Sequence, residues 1–248
     1  MTAPVEAYVL VHGAHHGAWV WDPLLPHLGR PALAVDLPGR GDLATLRTLT
    51  ISGCAEAVIA QIEGAGLRRV AVVGHSLAGS VAWTVAAQAP DLVIGLVGIA
   101  AVFPPAGKGA TDLWPTGLRW VPRAKLALRR GGTSAPLTMS DRNARRRLAN
   151  DCDEDQTAWL LAHLGPESAG LTTSRVPQLQ LAPNLCRGYV LCDGDRALPV
   201  ARQRTQADSI RAPIVEMPTG HDPMVSAPQL LARVLDDLTS SWSDDGLR

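Results

Sequence analysis

The stretch Arg69–Gly79, RVAVVGHSLAG, contains the transition from a strand to a helix on which the fold prediction rests. Its first half, Val70–Val73, is apolar and rich in β-branched residues, which is typical of a strand buried on both faces. Its second half begins an apolar repeat at helical spacing that ends at Pro90. Ser76 is therefore predicted to lie on the turn between a buried strand and a helix.

Small residues surround Ser76 in this stretch. A strand that reverses sharply into a helix leaves little room for side chains at the turn, and Gly74, Ala78 and Gly79 meet this requirement. The turn raises the Ser76 hydroxyl above the backbone, and the Leu77 amide at the start of the helix can stabilise a negatively charged oxygen. The pattern predicts a nucleophilic serine, with alanine at the last glycine position of G-x-S-x-G.

Two other interpretations of this stretch remain open from the residues alone. Gly74, Ser76 and Gly79 occupy positions of the dinucleotide-binding pattern G-x-G-x-x-G, but a serine replaces the middle glycine that lets a pyrophosphate approach the backbone. No acidic residue ends a following strand about twenty positions later, as that pattern requires. The remaining alternative is an ordinary strand, turn and helix with an incidental serine.

Short apolar runs alternate with helical patterns along most of the chain. This alternation predicts an α/β fold with a mostly parallel sheet and helices on both faces. Strands are expected at residues 7–11, 32–36, 70–73, 91–101, 188–192 and 214–217. Helices are expected at residues 18–28, where Pro23 and Pro26 interrupt the helix, at 51–65, 200–210 and 227–238, and directly after Ser76. Residues 239–248 are expected to form a frayed polar tail.

The alternation of strands and helices is interrupted after Phe103. Residues 103–184 show mainly helical or irregular patterns, so they are predicted as an insertion into one α/β domain whose core comprises 1–102 and 185–248. An insertion here can lie as a lid, or cap, over the carboxyl ends of the strands, where open α/β sheets bind ligands. The apolar residues available to such a lid are Leu113, Trp114, Trp120, Leu126, Leu128, Trp159 and Leu160. A packing insertion with no role in binding is the alternative.

Composition and charge narrow the class of protein. Hydrophobic residues make up 46% of the 248 residues, which is enough for a sizeable core, and basic and acidic residues balance at 23 each. A neutral chain has no electrostatic drive toward nucleic acid or an anionic membrane surface, so neither partner is expected. No apolar run reaches the length that crosses a membrane, and the amino terminus lacks a secretory pattern.

The four cysteines show no C-x-x-C pair and no zinc-finger spacing with histidine. They are expected to be buried thiols in a reducing compartment. Together with the absence of a secretory pattern, this predicts a cytoplasmic protein. The sequence leaves the oligomeric state open, with a homodimer as one arrangement.

A serine hydroxyl needs a base, and His221 is the histidine best placed to supply it. It lies in the loop after the last predicted strand, and such loops meet at one edge of a parallel sheet. His75 adjoins Ser76 in the chain, but the tight turn should direct its side chain away from the hydroxyl. Asp222, which precedes Pro223, is expected to cap the next helix.

The acid that orients the base is expected in the loop after the penultimate strand. That loop contains Asp193, which directly ends the strand, and Asp195, which lies beyond the flexible Gly194. The residues alone leave both carboxylates open. With either of them, the triad follows the chain order serine, acid, histidine that the α/β-hydrolase fold uses.

Several motifs together resemble the α/β-hydrolase superfamily, and in particular its branch of plant methyl-ester esterases, hydroxynitrile lyases and related bacterial esterases. The motifs are VHGAHHGAWVW at 11–21, GHSLAG at 74–79, NDCDED at 150–155, YVLCDGDRALP at 189–199 and GHDPM at 220–224. The resemblance spans nearly the whole chain. In the pattern of this family the acid precedes a basic residue and an aliphatic-proline pair, which Asp195 matches and Asp193 does not.

The resemblance implies further site residues. It implies that the backbone amides of Ala14 and Leu77 stabilise a negatively charged oxygen, and that Gly13 and His15 bind substrate. Hydroxynitrile lyases of this branch carry a threonine and a lysine at the positions of Gly13 and Asp222. Because a carboxylate would repel a leaving cyanide, cyanohydrin cleavage is not expected.

The leading hypothesis is a serine hydrolase that cleaves a carboxylic ester or thioester of a moderately large apolar small molecule. Ser76 would form an acyl-enzyme, with His221 as the base and Asp195 as the orienting acid. A first alternative is a lyase, cyclase or C–C-bond-cleaving enzyme that uses the same three residues. A second is a ligand receptor that keeps the pocket but barely turns over.

The hypothesis requires no metal and no organic cofactor. A metal site is not expected at the histidines of the first turn, because no acidic residue accompanies them there. These histidines are His12, His15 and His16.

Overall fold

The computed structural model describes residues 4–113 and 136–242, and its centre is a parallel β-sheet. The strands are β1 (Tyr8–Val11), β2 (Ala32–Val35), β3 (Val70–His75), β4 (Val93–Ile99), β5 (Cys186–Cys192) and β6 (Ile214–Met217). They pair in the order β2-β1-β3-β4-β5-β6, and every pair is parallel. The predicted α/β fold with a parallel sheet is confirmed.

The strand register aligns the carboxyl ends of the strands at one edge of the sheet. Val11, the last residue of β1, is paired with Gly74 near the end of β3. Cys192, the last residue of β5, is paired with Met217 at the end of β6. The loops that follow these strands therefore leave from the same edge, which brings together segments that are far apart in the chain.

Helices connect the strands and fill the segment between β4 and β5. The α-helices of the described residues are α1 (Leu43–Leu46), α2 (Ile51–Gly64), α3 (Gly79–Gln88), α4 (Asp141–Arg147), α5 (Glu154–His163), α6 (Ala169–Thr173), α7 (Val200–Ser209), α8 (Pro223–Ser226) and α9 (Pro228–Thr239). Short 3-10 helices occur at Ala18–Trp21, Leu25–His27, Ser76–Ala78 and Ala110–Leu113. Within these described ranges, no helix has the length and apolar character that crossing a membrane requires.

Both faces of the sheet are buried, as the alternation of strands and helices predicts. Along β1, Val9 and Val11 belong to a core formed with α2, α3 and α7. Tyr8 and Leu10 point the other way, into a second core formed with α9 and the short helix Ala18–Trp21. Burying such side chains stabilises the fold by about 25 cal/mol for each Å² of apolar surface.

The described part of the insertion packs on both cores. Leu171 of α6 and Val176 belong to the core that contains α2 and α3. Leu148 and Leu160 belong to the core on the opposite face. Four of the apolar residues predicted for a lid lie outside the described residues: Trp114, Trp120, Leu126 and Leu128.

Prolines determine where two of the predicted helices are interrupted or begin. The interruption expected within residues 18–28 is present: two 3-10 helices form there, because Pro23 and Pro26 cannot donate the backbone hydrogen bonds of a continuous helix. The helix expected over residues 227–238 starts at Pro228 and is preceded by the separate short helix α8.

The prediction of a frayed tail from residue 239 is wrong for the first residues of that tail. Trp242 is buried, and its ring lies over Gly95 of β4, where it fills the space that a side chain would need. The Thr239 hydroxyl is 2.7 Å from the Tyr8 hydroxyl. An aromatic anchor within a polar segment therefore continues the packing of α9 to residue 242.

Candidate active site

Ser76 lies directly after β3, at the start of the 3-10 helix that leads into α3. Its φ angle is +50°, in the left-handed region that residues other than glycine rarely adopt. Two glycines make this tight turn sterically possible. A Cβ on Gly74 would lie 2.8 Å from the Ala78 carbonyl oxygen, and one on Gly79 would lie 2.7 Å from the Val102 carbonyl oxygen.

His221 and Asp195 form a hydrogen-bonded chain with Ser76. The His221 Nε2 is 3.0 Å from the Ser76 Oγ, and the His221 Nδ1 is 2.7 Å from the Asp195 Oδ2. If the Nδ1 proton is donated to Asp195, Nε2 can accept the hydroxyl proton of Ser76. The structure thus brings together the three side chains that the sequence places in the loops after β3, β5 and β6.

The Asp195 carboxylate is held by four hydrogen bonds. Besides His221, its oxygens accept the backbone amides of Ala197 at 2.6 Å and Leu198 at 2.9 Å. The side-chain amide of Gln203 donates the fourth bond at 3.3 Å. These bonds fix the carboxylate in the orientation that contacts the imidazole.

The sequence did not identify Gln203 of α7. This side chain is fully buried, and both its ends bond at 2.9 Å to the backbone of Cys192, the last residue of β5. The only sequence signal is a polar residue in a helix, and its burial becomes visible only in the folded chain. Asp193 is exposed, so the geometry separates it from the buried Asp195.

Burial and charge act in opposite directions on His221. Burial favours the neutral imidazole, but the charge and hydrogen bond of Asp195, together with the other carboxylates nearby, outweigh it, so the pKa of His221 is raised above its usual value. The carboxylates of Asp222 and Asp151 add smaller contributions in the same direction. A raised pKa makes the imidazole a stronger proton acceptor at any pH where it is neutral.

Ala14 and Leu77 lie beside Ser76. Leu77 is in the first turn of a helix, where backbone amides have no partner within the helix. Ala14 is in the loop after β1, the strand next to β3. Both residues line the same cavity as Ser76 and His221. That the two backbone amides stabilise a negatively charged oxygen stays a prediction.

The insertion anchors the loop that carries Ala14. Glu167, which is 1% exposed, accepts the His15 amide at 3.0 Å and an Arg40 guanidinium nitrogen at 2.8 Å. Gly165 donates its amide to the His15 carbonyl oxygen at 2.8 Å. No sequence pattern indicated this role for Glu167, because its partners are 152 and 127 residues away along the chain.

Gly13 and His15, the predicted substrate-binding residues, lie beside the cavity that contains Ser76. Neither Gly13 nor His15 is among the described residues that line this cavity. The ring Nδ1 of His15 is 3.1 Å from the Gly165 carbonyl oxygen, so the side chain also serves to anchor the loop. A Cβ on Gly13 would lie 2.7 Å from the His75 Nδ1, so glycine leaves room for that ring.

The motif at residues 150–155 contacts both loops that carry the acid and the base. Asn150 donates its side-chain amide to the Gly194 carbonyl oxygen at 3.1 Å. The Asp151 carboxylate accepts the backbone amide of Gly220. This part of the insertion therefore holds the residues that precede Asp195 and His221 in their loops.

A second buried cluster lies behind His221. The Asp222 carboxylate is fully buried, with one oxygen 3.2 Å from the His16 Nε2 and the other 3.4 Å from the His75 Nε2. The His75 Nε2 is also 2.9 Å from the His221 carbonyl oxygen, and the centres of these two rings are 4.8 Å apart. Asp222 does precede α8, but it makes no capping hydrogen bond there. The predicted helix start, with Asp222 at the N-cap position and Pro223 as the first helical residue, is confirmed, but the carboxylate faces two histidines and does not cap the helix.

The charges in this cluster are defined by burial and by the neighbouring rings. Burial opposes ionisation of Asp222, but His16 and the other histidines nearby lower its pKa to about 2. Burial, together with the nearby His221, lowers the pKa of His75 to about 3. Asp222 is therefore an anion, and His75 a neutral imidazole, near neutral pH.

The same cluster contains donor atoms that lie close enough together to hold a metal ion. The ligand atoms of His16, His75 and Asp222 all lie within 4.8 Å of one another. However, the His16 Nε2 is already paired with Asp222, and the His75 Nε2 with the His221 carbonyl oxygen. We therefore interpret the cluster as a hydrogen-bonded support for the His221 loop.

Ser76 and His221 open onto a cavity of about 560 Å³. This volume lies within the range of small-molecule sites, roughly 300–1,000 Å³. The cavity wall is mainly apolar and includes Val102, Leu198 and Pro199. The segment between β4 and β5 contributes Ala110, Leu113, Arg147 and Thr172 to the wall.

Comparisons with known proteins identify the family of this chain. The model of the alpha/beta hydrolase family matches residues 8–234. Norfluorocurarine synthase 1 of a Strychnos species is 25% identical over 254 residues, covering 93% of this chain and 94% of that protein. A pimeloyl-[acyl-carrier protein] methyl ester esterase of Neisseria meningitidis is 37% identical over 98 residues, covering 39% of this chain and 36% of that protein. An extracellular alpha/beta-hydrolase from a Paenibacillus species shares the fold with a TM-score of 0.82 at 22% identity, covering 95% of this chain and 99% of that chain. As its motifs indicate, this chain belongs to the alpha/beta hydrolase family.

Proposed function

We propose that this protein is a serine hydrolase that cleaves a carboxylic ester or thioester of a moderately large apolar small molecule. The observation that carries this proposal is the hydrogen-bonded chain from Ser76 through His221 to Asp195, which opens onto a mainly apolar cavity. A hydroxyl paired with an oriented base is the arrangement that makes serine nucleophilic near neutral pH.

In the first half of the reaction, Ser76 attacks the carbonyl carbon while His221 takes its proton. The carbonyl oxygen becomes negatively charged and accepts hydrogen bonds from the amides of Ala14 and Leu77. Losing one such donor typically costs about 10²–10³ in rate. When the tetrahedral intermediate collapses, His221 returns the proton to the leaving alcohol or thiol, and the acyl group stays on Ser76.

In the second half of the reaction, water releases the acid. His221 takes a proton from the water molecule, whose oxygen attacks the acyl carbon. The intermediate collapses, Ser76 recovers its proton from His221, and the carboxylic acid leaves. Asp195 holds the imidazole in the required tautomer and stabilises its protonated form in both halves.

A non-hydrolytic reaction is the second candidate. It is favoured by the relatives named norfluorocurarine synthase, which match this chain along nearly all of its length. In such a reaction, His221 and Ser76 would transfer protons in a lyase, cyclase or C–C-bond cleavage without an acyl-enzyme. The methyl ester esterase match supports the hydrolase instead, although it covers only 39% of the chain.

A serine-directed fluorophosphonate and a panel of esters and thioesters with graded acyl length test the proposal. We expect covalent label on Ser76, located by mass spectrometry of peptides, and release of acid from at least part of the panel. Label on Ser76 without turnover of any ester or thioester would favour the non-hydrolytic candidate. Saturable ligand binding without product release would indicate a receptor.

Asp222→Asn is expected to move the acid limb of the pH profile of kcat/KM to lower pH. The Asp222 carboxylate helps to raise the pKa of His221, and His221 must be neutral to accept the serine proton. Removing this charge lowers the pKa, so activity is lost at a lower pH than in the wild type. The pH dependence of kcat/KM for a chromogenic ester measures the shift.

Asp193→Asn is the matched control for this measurement. It removes an exposed carboxylate from a loop at the same edge of the sheet, so its acid limb should coincide with that of the wild type. If Asp222→Asn is folded by circular dichroism and its acid limb also coincides with the wild type, the electrostatic role of Asp222 is contradicted.

The proposal also covers the division of the chain into a core and a lid. We propose that residues 103–184 form a lid, supported by the contribution of Ala110, Leu113, Arg147 and Thr172 to the cavity wall. The remaining residues, 1–102 and 185–248, form the hydrolase core in this proposal. A cytoplasmic location and a homodimer stay predictions from the sequence.

A further inference from the structure

Three arginines lie around the cavity that contains Ser76. They are Arg147 at the end of α4, Arg196 in the loop after β5, and Arg202 in the first turn of α7. Among the described residues that line this cavity, no side chain is acidic. Because the whole chain has a formal net charge of zero, this excess of positive charge is a local feature.

Two arginines on the same helices have carboxylate partners. Arg145 on α4 pairs with Glu154 at 3.5 Å, and Arg204 on α7 pairs with Glu216 at 2.7 Å. Within residues 4–113 and 136–242, by contrast, no ion pair involves any of the arginines that line the cavity. Arg147 and Arg202 therefore lie beside the cavity without an acidic partner among the described residues, whereas Arg145 and Arg204 on the same helices are paired and do not line it.

Arg202 is held in position by a neutral group. One of its guanidinium nitrogens donates to the Leu113 carbonyl oxygen at 2.6 Å, which leaves its other donors available. The side chain is half-buried, next to the apolar Leu198 and Pro199 in the cavity wall. Charge attraction is stronger beside apolar, poorly hydrated surface than in bulk water. A guanidinium offers a planar set of donors that matches two oxygens of a carboxylate or phosphate group.

We propose that the substrate carries an oxyanion, such as a carboxylate, that is bound by Arg147, Arg196 and Arg202 while the ester carbonyl lies at Ser76. The inference rests on the proposed ester hydrolysis and refines its substrate class. The apolar part of the cavity holds the chain that links the two ends of the substrate. Such a molecule has an apolar middle, a charged end and a scissile ester.

Matched pairs of p-nitrophenyl esters test this proposal. One member of each pair is the monoester of a linear dicarboxylic acid, and the other replaces the free carboxylate by a primary amide of nearly equal size. Esters that end in a phosphonate form a third arm, which separates recognition of a carboxylate from recognition of any oxyanion. We expect wild-type kcat/KM to favour the anionic member by about 10- to 100-fold, the value of a charge-assisted hydrogen bond. Added salt should narrow the preference.

Arginine variants test whether the preference for anionic esters depends on the three arginines of the cavity. The variant Arg147→Gln/Arg196→Gln/Arg202→Gln should lose the preference, so that its kcat/KM for the anionic and the amide member of each pair becomes nearly equal. Arg145→Gln/Arg204→Gln is the matched control, since it removes one arginine from each of the same two helices but leaves the cavity unchanged. This control should retain the full preference.

The outcomes separate this inference from ester hydrolysis itself. Equal turnover of anionic and neutral esters by the wild type would overturn the oxyanion site and leave ester hydrolysis intact. If no ester is turned over, ester hydrolysis fails, and calorimetric titration of Ser76→Ala with a dicarboxylate and with its diamide decides the inference alone. Tighter binding of the dicarboxylate that is lost in the triple glutamine variant would support the site, and equal binding would overturn it.

Discussion

Ser76→Ala is expected to lower kcat for ester hydrolysis by about 10⁶-fold while leaving substrate affinity nearly unchanged. Alanine removes the atom that forms the acyl-enzyme, whereas the cavity and the oxyanion amides remain. The residual rate should come from those amides and from binding, without a covalent intermediate. Product formation over long incubations measures kcat, and titration with a slowly hydrolysed ester measures affinity.

Ser80→Ala is the control for Ser76→Ala. The Ser80 side chain is also buried and donates to the Leu77 carbonyl oxygen at 2.8 Å, but it lies outside the hydrogen-bonded chain to Asp195. Its removal should lower kcat less than tenfold, which is about 1.4 kcal/mol. If Ser76→Ala retains substantial activity and is folded, Ser76 is not the nucleophile and the hydrolytic mechanism is refuted.

Asp195→Asn is expected to lower kcat by about 10⁴-fold. Asparagine can donate its amide protons to the His221 Nδ1, which places the imidazole proton on Nε2, where Ser76 needs an acceptor. The substitution also removes the charge that contributes most to raising the pKa of His221. The acid limb of the pH profile of any remaining activity should therefore lie at lower pH than in the wild type. Steady-state rates and a pH profile of the same ester measure both effects.

Asp193→Asn provides the comparison for Asp195→Asn. Asp193 is exposed at the end of β5, so its replacement should change kcat by less than about twofold, as is usual for surface positions. A larger loss in Asp193→Asn than in Asp195→Asn would refute the assignment of the acid. Chemical denaturation of both variants separates a catalytic effect from a loss of folded protein.

Asp195, the acid that orients His221, illustrates how much of the site can be predicted from the residues alone. The pattern at residues 192–199 identified the loop, but it left two carboxylates open until the family resemblance favoured Asp195. In the structure, the amides of Ala197 and Leu198 bind this carboxylate, and Gln203 reaches it from the next helix. Asp195 is buried and Asp193, two residues earlier, is exposed, and only the path of the backbone around Gly194 decides this difference.

Asp222 illustrates where local reasoning fails. An aspartate before a proline is a common start of a helix, and Asp222 does occupy that position, but the pattern does not indicate what its carboxylate contacts. Its carboxylate contacts His16, in the loop after β1, and His75, the last residue of β3. No local pattern can reveal a contact that depends on the order of strands in the sheet.

The sequence by itself determined the alternation of strands and helices, the turn that carries Ser76, and the edge of the sheet where the loops meet. These features follow from local physics, because apolar periodicity and the small size of Gly74 and Gly79 act over a few neighbouring residues. Only the tertiary structure decided which carboxylate contacts His221, how Glu167 anchors the loop of Ala14, and which arginines surround the cavity. Those contacts join residues far apart in the chain, and their energies exist only after strand pairing and core packing have brought the residues within a few ångströms.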